Sequence, residues 1–111
     1  MAGKYNIVAD QGATFSLNFD VATDGVAWNL STYSAAMQVR KSANDATTLL
    51  DLSSPSDIVM TSGGNVTVTV PAATMATLPA GRWVYDFELD SGSVVTRLLE
   101  GRFIVSAEVT Q

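Results

Sequence analysis

Gly81-Arg82-Trp83-Val84-Tyr85-Asp86-Phe87-Glu88-Leu89-Asp90 is followed, across Ser91-Gly92-Ser93, by a second long run from Val94 to Val105. In the first run Trp83, Tyr85, Phe87 and Leu89 alternate with Arg82, Val84, Asp86 and Glu88. A period of two gives a strand one buried face and one wet face. Two such runs joined by a short Gly/Ser turn predict a central hairpin. The same spacing makes Trp83, Tyr85 and Phe87 core residues by default rather than a binding stripe. Gly101 interrupts the second run, and an isolated glycine in a strand predicts a bulge, with Phe103 and Val105 facing inward beyond it.

The rest of the chain repeats the pattern. Phe15, Leu17, Phe19 and Val21 alternate with Thr14, Ser16, Asn18 and Asp20, and Val66, Val68 and Val70 alternate with Thr67 and Thr69. Ala35, Met37 and Val39 form a weaker alternating run, and Tyr5–Val8 reads as a short N-terminal edge strand. Leu49–Leu52 and Ile58–Met60 are short apolar runs between turn-rich stretches. Asp24-Gly25 is a tight-turn signal, and Ser62-Gly63-Gly64-Asn65 precedes the valine strand. Only Pro71–Pro79 breaks the period. It is Ala-rich and bracketed by prolines, which predicts a helical turn near residues 72–78 with Met75 and Leu78 plugging the core. About seven to nine strands spaced by turns argue for an all-β sandwich or barrel.

Length and composition bound the rest. The chain has 111 residues, 47% of them apolar, enough for one packed domain over 1–111. Residues 1–9 and 106–111 are short or polar and read as terminal arms able to add a strand to a neighbour. With no cysteine there is no disulfide scaffold and no thiolate metal site, which fits an intracellular origin. With no histidine, the commonest general base and metal ligand is missing, and no Ser/His/Asp or Cys/His site can be built. Serines and threonines are abundant, but no base stands at a recognisable spacing and no phosphate-binding glycine loop is present. The expectation is a protein without catalytic, cofactor or metal residues, and not an enzyme.

The net charge is −5, from 11 acidic and 6 basic residues. Nucleic-acid binding needs clustered Lys and Arg, and here only Arg40 and Lys41 adjoin, most simply as a solvated pair. The N-terminus lacks the apolar region of a secretory signal. No run approaches the length of a membrane span, so no membrane partner is expected. The initial Met1 reads as the start of a whole gene product.

Three groups merit weighing as sites. Asp86, Glu88 and Asp90 share one strand face, but one flat strand cannot wrap the ligand shell of Ca²⁺, so a solvated face with partners such as Arg97 or Arg102 is the default. Trp28 and Tyr33 flank Asn29-Leu30-Ser31-Thr32. They read as loop aromatics closing one end of the core, as a protein-docking surface, or as a sugar-stacking platform. Glu108, Val109 and Thr110 are the candidate contacts of the C-terminal arm.

The last hairpin resembles a pattern in small virion proteins of tailed bacteriophages. Gly81–Leu89 resembles a strand of the form G-x-Y-x-Y-D-x-x-L, with Trp83 at the first Tyr. Val94-Val95-Thr96-Arg97-Leu98-Leu99-Glu100-Gly101, then Phe103 to Thr110, matches a strand ending in V-x-P-E-V-T. Asp10-Gln11-Gly12-Ala13-Thr14-Phe15, Asp24-Gly25, Asn29-Leu30-Ser31 and Ala35–Arg40 are similar to the N-terminal immunoglobulin-like domains of phage baseplate and tail-fibre proteins. A further departure is Ala107, where the pattern has Pro. The resemblance implies an Ig-like antiparallel β-sandwich. It also implies a virion protein made in the host cytoplasm: a baseplate component or tail-fibre adaptor bound to other tail proteins in a multi-copy assembly. A carbohydrate-binding module recognising a host glycan is the alternative.

Overall fold

The computed structural model describes residues 3–45 and 47–107. Its elements in chain order are β1 (Gly3–Lys4), β2 (Ile7–Asp10), β3 (Phe15–Asp20), β4 (Ala22–Thr23), β5 (Val26–Ala27) and β6 (Ser34–Arg40). They continue with β7 (Thr48–Ser53), β8 (Ile58–Met60), β9 (Asn65–Val70), α1 (Ala72–Met75), β10 (Gly81–Asp90) and β11 (Val95–Ser106). One sheet runs β1-β11-β10-β6-β7, with β2 also on β11; the second runs β3-β9-β8; β4 and β5 form a small hairpin.

Alternation decides which side of each strand is inside. Met37, Val39, Tyr85, Phe87, Leu89, Phe103 and Val105 of the large sheet are buried, as are Phe15, Val66, Val68 and Val70 of the small one. These faces meet to form one core. Edge-on aromatic pairs cross it: Phe15 lies 5.5 Å from Phe103 and Phe19 lies 5.3 Å from Phe87, centroid to centroid. Such pairs add about 0.5–1.5 kcal/mol beyond their burial. Met75 and Leu78 close the bottom of the core as expected, with α1 only one turn long.

The strand order is that of a variable-type immunoglobulin sandwich. In that scheme β11, β10, β6 and β7 take the places of G, F, C and C′, and β3, β9 and β8 those of B, E and D. The corner before β10 has a counterpart too. Trp83 Nε1 donates to the Pro79 carbonyl four residues upstream at 3.3 Å, as a corner tyrosine does in that fold.

Two expectations are corrected. First, residues 3–9 are not a free arm. β1 pairs in parallel with Leu99 and Glu100, and β2 with Phe103–Ser106. Ile7 and Ala9 are buried, so this segment belongs to the core, in keeping with the N-terminal strand also predicted. Ser106 itself closes β11 opposite Asp10, so an arm can begin only after it. Second, Gly101 is not the bulge. The register shifts between Phe87 and Glu88, which pair with Leu99 and Arg97 and leave Leu98 without a counterpart. Gly101 pairs regularly with Tyr85. It is glycine because the first strand breaks beside it: a Cβ there would overlap the Tyr5 carbonyl and lie 3.0 Å from Asn6 Oδ1.

Candidate functional site

Trp28 and Tyr33 sit at the end of the sandwich that carries the β4–β5 hairpin. The Asp24-Gly25 turn has positive φ at both residues, 51° and 79°, which a two-residue hairpin requires. It folds the chain back so that the Trp28 amide donates to the Val21 carbonyl at 2.9 Å and the Trp28 ring Nε1 donates to Thr23 Oγ1 at 2.9 Å. Leu30 is buried between the two aromatics in sequence, and the Tyr33 amide donates to its carbonyl at 3.1 Å. The rings lie 6.1 Å apart, tilted by 39°, and both are half-buried against the core. This is the geometry of loop aromatics that close a core. The rings do not lie in one plane, and the indole donor is engaged by Thr23. Tyr33 also borders a shallow cleft of about 410 Å³ with Pro55, Val59 and Met60.

Glu108, Val109 and Thr110 lie outside the described residues.

The outer face of the large sheet gathers the charges. Arg97 Nε stands 3.5 Å from Asp86 Oδ2 and 3.9 Å from Glu88 Oε2, and its Nη1 stands 3.9 Å from Glu100 Oε1. Lys4 Nζ reaches Glu100 Oε2 at 3.3 Å. These pairs are exposed, and each contributes about 0–1 kcal/mol. Of the two partners expected for the acidic strand, Arg97 takes the place, and among the described residues no ion pair engages Arg102. Among the described residues no three metal-ligating side chains converge. The same face forms an open groove of about 610 Å³ whose border includes Lys4, Gln38, Arg40, Asp86, Arg97 and Glu100.

Tyr85 was legible only as a core aromatic, but its hydroxyl has a task. It donates to the Tyr5 carbonyl at 2.6 Å and so pins the break between β1 and β2 to the hairpin. Asn6 Oδ1 accepts the Arg102 amide at 3.0 Å on the other side of that break. Burial, with Tyr5 close by, pushes the Tyr85 phenol up from 10.0 to about 12.

Fold and faces together define an all-β sandwich of the immunoglobulin-like class, with packed aromatics at one end and a charged outer sheet. Among solved structures it is similar to the N-terminal domain of ORF48 of phage TP901-1, with a TM-score of 0.54 and 11% identity over 90% of this chain and 83% of that one. It is also similar to a marsupial T cell receptor, with a TM-score of 0.52 and 13% identity over 96% of this chain and 51% of the receptor chain, so it spans about half that chain's length. At such identities the likeness establishes the fold. No protein-family model and no curated protein matches the sequence.

Proposed function

We propose that the protein is a structural component of a bacteriophage tail, a baseplate subunit or tail-fibre adaptor that works through protein–protein contacts and has no catalytic role. The observation that carries this reading is the fold shared with a phage N-terminal domain over nearly the whole chain. Sharing a fold does not fix a function, so the reading leans equally on the Gly81-to-Thr110 motif, which resembles phage virion proteins. The lack of histidine and cysteine supports a role without chemistry. Contacts with other tail proteins in many copies, and a place in the virion after synthesis in the host cytoplasm, follow from the same reading. The alternative, a glycan-binding module, would use Trp28 and Tyr33. Their mutual tilt and their packing on the core favour the structural role. The test is mass spectrometry of purified phage particles: the chain should appear in fixed ratio to known tail proteins, and its absence from intact particles would overturn the proposal.

A further inference from the structure

Register places the outer residues of the large sheet in rows. One row across β6, β10 and β11 is Arg40, Val84 and Arg102. The next is Gln38, Asp86 and Glu100, extended onto β7 by Asp51 opposite Gln38. Beyond it stand Ala36, Glu88 and Arg97. On the other side of the first row Arg82 pairs with Ile104. One half of the face thus holds Arg40, Arg82 and Arg102 with Asp10 at its edge, and the other holds Asp51, Asp86, Glu88 and Glu100 with Lys4 and Arg97 among them, so the first is net basic and the second net acidic. Among the described residues no ion pair engages Arg82 or Arg102. The Arg40 guanidinium donates to Gln38 Oε1 and the Asp45 carbonyl, both neutral.

This pattern is its own complement. A two-fold axis lying in the face, across the strands, between the Val84 row and the Asp86 row exchanges the basic and acidic halves. It sets Arg102 over Glu100 of the other copy and Arg82 over Glu88 of the other copy, while Arg40 falls beside the other copy's Asp86 and Asp51. Packed sheets stand about 10 Å apart, a gap that an Arg and a Glu reaching toward each other can span. Val84 then falls over the other copy's Asp86, and Ile104 over the aliphatic stem of its Arg97. A two-fold interface requires one patch to fit itself.

We propose that the protein pairs with a second copy of itself through the outer face of the six-stranded sheet. The pairing deepens the multi-copy reading above by naming its surface. It fails or stands in solution, whereas the phage reading fails or stands in particles. Exposed charges are screened within about 10 Å at 0.1 M salt, so the dimer is salt-sensitive.

The experiment is sedimentation of the full chain at low and high salt, with folding of each variant checked by circular dichroism. The wild type should dimerise at low salt and dissociate at high salt. Arg82→Glu with Arg102→Glu, and separately Glu88→Arg with Glu100→Arg, should each weaken self-association by about tenfold or more. An equimolar mixture of the two variants should form a heterodimer, because each supplies the charges that the other lacks. A monomer under all conditions would overturn the proposal. So would a dimer indifferent to both charge reversals, or folded variants that fail to pair on mixing.

Discussion

On the small sheet the outward side chains bond one another: Asn18 Nδ2 donates to Thr67 Oγ1 at 2.7 Å and to Asn65 Oδ1 at 3.1 Å, while Asn65 Nδ2 donates to Asn18 Oδ1 at 3.1 Å and to Asp20 Oδ1 at 3.0 Å. On the large sheet the outward side chains are charged, net basic toward one end of the strands and net acidic toward the other, and among the described residues no ion pair engages Arg82 or Arg102. Both sheets fill one core with the same alternating residues. Only their backs differ. This ladder satisfies itself at hydrogen-bond range and holds its own strands together. Charges act over a longer range, and Arg82 and Arg102 leave an attraction still to be met. One back therefore serves stability, and the other is available for association.

The largest break in this comparison comes from Gly101→Ala. The new methyl would overlap the Tyr5 carbonyl, and such overpacking costs about 1–3 kcal/mol. The damage should fall on the charged sheet alone. Hydrogen exchange should quicken at the Ile7–Asp10 amides while β3 and β9 keep their protection. Equal loss on both sheets would show that the first strand is not a separable part of the large one.

A smaller effect should follow Tyr85→Phe, which removes the bond to Tyr5 and costs about 1 kcal/mol at neutral pH. The phenol's folded pKa is raised, so the stability it provides is complete below the unfolded value of about 10 and is lost as pH rises through about 12. Denaturant unfolding of both proteins across that range should show the gap between them closing as pH rises. A constant gap would mean that Tyr85 does not ionise as described.

The smallest effect sharpens the contrast between the backs. Asn18→Ala should cost about 0.2–1 kcal/mol, because it removes a cross-strand pair. Arg102→Ala should leave monomer stability within about 0.5 kcal/mol, as surface changes usually do. Thermal unfolding at high salt measures both. A larger loss for Arg102 would reverse the assignment of the two faces.

Much of this was legible because it is local. Alternation alone put Phe87, Met37 and Val68 inside, and the bracketing prolines marked the turn that carries Met75. The hairpin also made Arg97 a foreseeable partner of Asp86 and Glu88. What stayed hidden depends on strands far apart in sequence. Ile7 and Ala9 are too few to declare a strand's partner, so the parallel pairing with β11 could not be read, nor could the reason for Gly101. The row Arg40–Val84–Arg102 exists only once β6 has docked on β10 in one particular register. Trp28 and Tyr33 were visible as aromatics, but the angle between their rings and their packing against the core were not.

The ring pairs crossing the core have one more consequence. Antibody domains tie their B and F strands with a disulfide, whereas here a ring contact between Phe19 on β3 and Phe87 on β10 links the strands in those places. A sulfur bridge holds only where the surroundings are oxidising. Two rings packed edge to face neither gain nor lose electrons, so the clamp is the same in a reducing cell interior as in open medium, and the fold needs no change of redox compartment to mature.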